Sequence, residues 1–374
     1  MALMRAEIVL GAARHLQLLP NLDCETHAWP MPFADGIAPL LALRGRSVVV
    51  LASGDPFWFG AGTTLTRHLD PGEWRALPGP STFSLAAAQL GWPLEHTVCL
   101  GLHAAPLTRL RPHLAPGNRG VVLVRDGETP AELGRWLVEL GFGATSLWIM
   151  EALGGPRQRV RPLRAADPMP EDISHPVCVA FEIAGKGEPL PVTCGKPDTL
   201  FDHDGQITKH PVRALTLSSL APRPGEHLWD IGAGSGSVTI EWLLAHRSLR
   251  ATAIEADPSR AARIRSNADR LGCDHLTLVT AKAPDGLTDL PRPDAVFVGG
   301  GLSDNLLTVL WDILPNGTRI VANAVTLESE SLLCQWHQDK GGDLLRIELA
   351  QAQPLGSKRG WRASYPIVQW SAVR

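Results

Sequence analysis

Between Leu228 and Glu241 an apolar run, Leu228-Trp-Asp-Ile231, enters three alternating glycines, Gly232, Gly234 and Gly236, and continues into an amphipathic stretch, Ser237-Val-Thr-Ile-Glu241. Glycine lets the chain turn sharply and lets backbone approach a ligand with no Cβ in the way, and the helix start beyond it offers free N–H groups. Strand, tight turn and helix in this order make one nucleotide-binding device.

A dinucleotide fingerprint would place its third glycine at position 237, which is Ser237; the glycine falls at Gly236 instead. The resulting Asp-x-Gly-x-Gly-x-Gly pattern from Asp230 resembles the turn that class I methyltransferases use for S-adenosylmethionine (SAM), with NAD as the weaker alternative. That resemblance makes Gly232, Ala233, Gly234, Ser235 and Gly236 expected cofactor contacts. The next apolar run, Ala251-Thr-Ala-Ile-Glu255, reads as a strand ending in a carboxylate about 20 residues past the turn, where Glu255 can accept both ribose hydroxyls. Asp257, just before Pro258, reads as the cap of the following helix.

A chain of 374 residues is long for one core, and two domains are expected, 1–185 and 186–374. With 35 Lys and Arg against 38 Asp and Glu, the net charge of −3 provides no global basic field for a nucleic acid. Apolar runs such as Val48 to Ala52 are far shorter than the ~18 residues of a membrane helix. The N-terminal residues carry no signal-peptide pattern, so a cytoplasmic location is expected. The six cysteines form no C-x-x-C or Cys/His cluster, the histidines form no H-E-x-x-H, and Asp202-His203-Asp204 lacks the other ligands of a calcium loop; no metal is expected.

In the first half, strand-like runs at 48–51, 97–100, 120–124 and 146–150 alternate with helical stretches near 61–69, 81–90 and 130–140, which predicts an α/β domain with a mostly parallel sheet. Runs at 159–163 and 175–183 predict a small antiparallel closure. Residues 184–205 shift to Gly, Pro, Lys, Asp and Thr without periodicity and read as an interdomain linker. Val212 to Leu220 then predicts an entry helix, and strands alternate with helices again. Near the end, 344–349 and 364–370 have no helix between them and predict an antiparallel hairpin closing the second sheet.

Two loops of the first half stand out: Ser53-Gly-Asp-Pro-Phe-Trp-Phe-Gly60, after the strand 48–51, and Pro78-Gly-Pro-Ser-Thr-Phe83, after strand-like 74–77 and opening a helix. Both sit where open α/β sheets bind ligands, beyond the carboxyl ends of strands. Each is also an ordinary Gly/Pro turn, with Ser81 or Thr82 as a helix cap. Gly54-Asp55-Pro56, Pro78 to Thr82 running into Leu85 to Pro93, and Glu151-Ala-Leu-Gly-Gly-Pro-Arg157 resemble the tetrapyrrole methylases of corrin biosynthesis. In the second half, Ile207-Thr-Lys-His-Pro-Val-Arg213, Asp230 to Glu241, Ala281 to Pro284, Asp294 to Gly300 and Asn323 to Glu328 resemble the decarboxylating corrin methyltransferases.

The resemblance implies a fold, α/β throughout: a tetrapyrrole-methylase domain followed by a class I, Rossmann-like SAM methyltransferase domain with an antiparallel last strand. It implies two methyl transfers from SAM to a tetrapyrrole, loss of carbon dioxide from a ring acetate, and a homo-oligomer. It implies SAM contacts at Thr208, the turn Gly232–Gly236, Glu255 and Ala283 in the second half, and at Gly54, Asp55, Ser81 and Thr82 in the first. Tetrapyrrole methylases open with a strand and a Gly-rich loop, and Ala6 to His15 of this chain match the family segment that comes after both. The expectation from that match is a first domain lacking its opening strand and impaired in its methyl transfer, a competent decarboxylating half, and one strong SAM site per chain.

Substrate carboxylates call for cations, and Lys358, Arg359 and Arg362 around Trp361, between the last two strands, suit a flat polycarboxylate. Lys209 and Arg213 are weaker candidates of the same kind. Alkylation of an electron-rich carbon demands alignment and exclusion of water more than acid–base machinery, which fits the absence of a nucleophilic triad. Two other classes remain: a nucleic-acid methyltransferase, opposed by Asp294-Ala-Val-Phe-Val-Gly-Gly-Gly301 in place of a base-holding Pro-Pro-Tyr type motif, and a non-catalytic SAM or tetrapyrrole binder.

Overall fold

The computed structural model describes residues 2–374. The chain divides into two compact units: Met1–Ala104 with Pro116–Gly187, and Ala105–Ala115 with Glu188–Arg374.

The first unit holds two sheets where the alternating pattern predicts one mostly parallel sheet. Strands β1 (Ile8–Gly11), β2 (Glu25–Ala28) and β3 (Val48–Val50) form a parallel sheet in the order β2-β1-β3. Strands β4 (Thr97–Gly101), β5 (Arg119–Leu123), β6 (Ser146–Glu151), β7 (Arg159–Arg164) and β8 (Val177–Glu182) form a mixed sheet in the order β4-β5-β8-β6-β7. Only β4 and β5 pair in parallel; β8 runs antiparallel to both of its neighbours, and β7 to β6. The link from β6 to β7 is too short for a crossover, so those strands can only turn back. A crossover helix, Thr129–Glu139, leads from β5 to β6 and leaves room for β8 between them.

The buried Glu151 carboxylate fixes this end of the sheet by ion pairs to Arg159 and Arg161, each at 2.7 Å. The stretch 74–77 is not a strand. It leads into Pro78 and Pro80, which cannot donate to a ladder, and leaves Trp74 and Leu77 exposed.

The second unit is a seven-stranded sheet built from β9 (His227–Ile231), β10 (Arg250–Glu255), β11 (Thr277–Thr280), β12 (Ala295–Val298), β13 (Arg319–Ala324), β14 (Asp343–Ile347) and a last strand, Ile367–Val373. Between β14 and that last strand the chain makes a separate two-stranded hairpin, β15 (Ala350–Leu355) and β16 (Lys358–Ala363), so the last strand is β17. The order is β11-β10-β9-β12-β13-β17-β14, with β17 antiparallel between β13 and β14 and the other pairs parallel. The expected antiparallel closure is therefore present, and the segment expected to be a loop is a hairpin.

Two apolar clusters fill this unit. One holds Trp242, Leu228, Leu243 and Ile264; the other holds Trp370, Val296, Leu310 and Leu333. The helix Pro258–Arg270 starts as the sequence predicts: Asp257 Oδ1 accepts the N–H groups of Ser259 and Arg260 at 2.7 and 3.1 Å.

The stretch read as a linker is not loose from Glu188 onward. Phe201 and Lys196 are buried, and the Glu241 carboxylate accepts the N–H groups of Gly195 at 2.6 Å and Lys196 at 2.9 Å. Hydrogen bonds from the backbone to one buried carboxylate replace the apolar periodicity that the segment lacks. Residues 105–115 also pack in this unit, with Leu110 and Leu114 buried and Arg109 bonded to Asp274 at 2.7 Å.

Candidate functional site

The three glycines between β9 and the helix Ser237–Ala245 all have positive φ. A Cβ on Gly232 would lie 2.6 Å from Gly300 Cα, where the ends of β9 and β12 pass, and one on Gly236 would lie 2.9 Å from Ile264 Cγ2. Neither position admits a side chain without moving the turn.

Beneath the turn, Asp230 Oδ2 accepts the Thr239 N–H at 3.1 Å and also the Thr239 hydroxyl, which ties strand to helix. Its other oxygen, Oδ1, is buried with no partner among the described residues, as is Ser235 Oγ. Burial pushes the Asp230 carboxyl up to about 6, against the opposing effect of the Thr239 bonds and with a further push from Glu255.

Glu255 ends β10 beside the turn. One carboxylate oxygen accepts the Gly234 N–H at 2.9 Å and the other accepts the Asp257 N–H at 3.0 Å, so each keeps a lone pair.

Glu255 and the turn residues Gly232 to Ser235 border a cleft of about 440 Å³ at the carboxyl ends of the strands, and Asp230 lies beneath it. Of the expected contacts, Thr208, Gly232, Ala233, Gly234, Ser235, Glu255 and Ala283 line it; Gly236 lies behind the turn, against Ile264. Lys209 lines the cleft too. Arg213 does not: it is fully buried, its guanidinium bonded to Glu241 at 2.6 Å, to Asp198 at 3.1 Å and to the carbonyls of Thr208 and Lys196. Every face of that side chain is committed to the fold, which removes it as a substrate ligand. Lys358, Arg359 and Arg362 lie on the exposed hairpin β15–β16, outside the cleft lining.

The cleft also contains residues to which the sequence reading gave no role: Gln206, Arg260, Lys282, Asn323, Val325 and Ile367. Asn323 and Val325 carry two signals in the sequence, their place in the family-resembling segment Asn323 to Glu328 and their position at and just after the end of β13.

In the first unit the two expected loops meet. Gly54 has positive φ, and a Cβ there would lie 3.2 Å from Ser81 Cα and 3.3 Å from the Pro80 carbonyl oxygen. Ser81 caps the helix Thr82–Leu90 by accepting the Ser84 N–H at 3.0 Å, and Asp55 closes a turn on the Phe57 N–H at 2.8 Å. Beside Gly54, Ser53 Oγ meets His15 Nε2 at 2.9 Å at the carboxyl ends of β3 and β1. Burial, and then Arg14, hold that imidazole below its usual range.

Residues 1–168 match the family model described as tetrapyrrole (corrin/porphyrin) methylases, and residues 199–374 the one described as precorrin methyltransferase domain. A precorrin-6Y C(5,15)-methyltransferase [decarboxylating] of Sinorhizobium sp is 48% identical over 98% of this chain and 90% of that protein. The chain belongs to the decarboxylating precorrin-6Y C5,15-methyltransferases.

A member of this family methylates precorrin-6Y at carbons 5 and 15 with decarboxylation, in cobalamin biosynthesis, and depends on SAM. The cobalt-precorrin-6B C(15)-methyltransferase (decarboxylating) of Salmonella typhimurium is 32% identical over 43% of this chain and 85% of its own. The crystal structure of the C-terminal domain of precorrin-6Y C5,15-methyltransferase from Rhodobacter capsulatus is 56% identical, covers 50% of this chain and 100% of that one, and has a TM-score of 0.48. No helix of the described residues is long and apolar enough to cross a membrane.

Proposed function

We propose that the two activities divide between the two units, the second methylating carbon 15 and releasing carbon dioxide and the first methylating carbon 5. The observation that carries this reading is the cleft of the second unit, where the glycine turn, Glu255 and Thr208 converge. The Salmonella relative, a decarboxylating C(15)-methyltransferase that aligns with 43% of this chain, supports a carbon-15 activity carried by a single unit.

The cleft fits SAM on three counts. Its volume falls in the range of roughly 300–1,000 Å³ typical of small-molecule sites. The turn approaches it with bare backbone. The free lone pairs of Glu255 and the orphaned Ser235 Oγ, both in the cleft lining, are acceptors suited to hydroxyl and ammonium groups, directly or through water. When bound, SAM supplies an electrophilic methyl group. Glu255 holds the ribose hydroxyls, Gly232–Ser235 and Thr208 the rest of the molecule, and Ala283 the adenine side. Val212, Val325 and Ile367 make apolar walls that exclude water. Lys358, Arg359 and Arg362 on the hairpin take substrate carboxylates, helped by Lys209 in the cleft.

In the first unit, Gly54, Asp55, Ser81 and Thr82 form the corresponding SAM contacts, with the loops stacked at Gly54 as support, so that two working SAM sites replace the single strong site expected from the N-terminal match. We place the reaction in the cytoplasm, a reducing compartment that suits six free cysteines, and in a homo-oligomer on the family resemblance.

Photolabelling of the full chain with radioactive SAM, followed by peptide mapping, tests the cleft. Label is expected on peptides spanning 206–209, 230–241 and 251–257. Label confined to the first unit would refute the assignment of the cleft.

A further inference from the structure

Asn323, at the carboxyl end of β13, lines the cleft and is held by a buried network. It stands opposite Gln369 in the β13–β17 register. Gln369 Nε2 donates to Asn323 Oδ1 at 2.9 Å and to Thr216 Oγ1 at 3.1 Å, Asn323 Nδ2 donates to Thr216 Oγ1 at 3.0 Å, and Ser219 Oγ donates to Gln369 Oε1 at 2.9 Å. Thr216 and Gln369 are almost fully buried. A network of four side chains thus fixes the plane of the Asn323 amide, and one of its two N–H bonds has no partner among the described residues.

The strand order separates Asn323 from Glu255. From β10 to β13 the sheet steps across β9 and β12, three spacings or about 14 Å. Glu255 and the glycine turn occupy one end of the cleft, and Asn323 stands at the other with Val212, Val325 and Ile367. On the reading of the cleft given above SAM takes the Glu255 end, which leaves the Asn323 end to the tetrapyrrole.

We infer that the free N–H of Asn323 orients the substrate carboxylate that leaves as carbon dioxide. In that step the bond between the acetate methylene and its carboxylate breaks, and its electron pair passes into the conjugated macrocycle. Carbon dioxide departs, and a proton from solvent returns to the methylene, leaving a methyl group. The carboxylate loses its charge along the way. A Lys or Arg on it would stabilise the charged ground state more than the transition state and slow the step, whereas a neutral amide aligns it at little such cost. Apolar walls act in the same direction. The other carboxylates, which are retained, are the ones suited to cations.

The test uses the full chain and a precorrin substrate labelled in the acetate carboxyl. Asn323→Asp keeps the side-chain shape and accepts from Gln369 and from the Thr216 hydroxyl, but it removes the N–H and adds a like charge. Asn323→Lys tests the charge argument. Labelled carbon dioxide release is expected to fall about 10- to 100-fold in Asn323→Asp, the cost of one hydrogen bond to a charged group. In Asn323→Lys the release should fall while substrate affinity, measured without SAM by tryptophan quenching, is kept or strengthened. SAM affinity should be unchanged in both, and thermal unfolding of each variant establishes that it is folded.

Release at the wild-type rate from a folded Asn323→Asp, or undiminished release from Asn323→Lys, would overturn the inference. Loss of SAM affinity in either would place Asn323 at the donor end and overturn it as well. A cleft wrongly assigned would show itself separately, as Glu255→Ala leaving carbon-15 methylation intact.

Discussion

One carboxylate oxygen of Glu255 and the N–H of Gly234 meet at 2.9 Å, so the acid at the end of β10 is tied to the turn that follows β9. With the other oxygen on the Asp257 N–H, the carboxylate is fixed before any ligand arrives. Glu255→Ala should lower SAM affinity of the second unit about 10- to 100-fold, from the loss of charge-assisted bonds worth about 1.5–3 kcal/mol. Calorimetric titration of the full chain checks this; an unchanged binding isotherm would contradict it.

Asp230 sets a pH dependence. Its folded value, about 6, lies above its ordinary 3.8, so the folded state holds this proton more firmly than the unfolded chain. The stabilisation is complete below about pH 4 and is lost as pH rises through about 6. Asp230→Asn removes that loss. The stability difference between variant and wild type should therefore grow by about 1–3 kcal/mol from pH 4 to pH 6 and stay level above. Denaturant unfolding at several pH values gives the difference curve, and a flat one would show that Asp230 does not carry this proton.

Arg213 and Glu241 form a fully buried pair at 2.6 Å that also anchors Gly195 and Lys196. Glu241→Ala leaves a buried guanidinium without its main counter-charge and two backbone donors unpaired. A loss of about 3–5 kcal/mol in chemical unfolding is expected. A loss below about 1 kcal/mol would mean that water replaces the carboxylate there.

The turn and Glu255 were legible because their signal is local: glycines at alternate positions, then an acid at the end of the next strand. The antiparallel β17 was legible from the lack of a helix before it. Arg213 was not, because its partner Glu241 is on the next helix and nothing in the sequence marks the two as facing. Nor was the anchoring of 188–205, whose bonds run from backbone to that same distant side chain. The hairpin β15–β16 escaped notice because Ala-Gln-Ala-Gln-Pro-Leu carries a Pro and no strongly β-forming residues. The role of 105–115 in the second unit has no local signal; it shows only in the folded chain, where the segment clusters with that unit and Arg109 pairs with Asp274.

Lys358, Arg359 and Arg362 are exposed on that hairpin, and changing all three to Ala should alter stability by no more than about 0.5 kcal/mol each. The tetrapyrrole KM should rise, and salt should narrow the gap between variant and wild type by screening the wild-type contacts. SAM affinity should not change. Steady-state kinetics at two ionic strengths reads both; an unchanged KM would remove the hairpin from substrate recognition.

The division of labour between the units is tested most directly by position-resolved product analysis, by mass spectrometry and carbon NMR, of the full chain carrying Glu255→Ala at limiting SAM. A product methylated at carbon 5, with carbon 15 unmethylated and the acetate retained, is the expected result. A product methylated at carbon 15 and decarboxylated at the wild-type rate, or one that has lost the carbon-5 methyl instead, would contradict it.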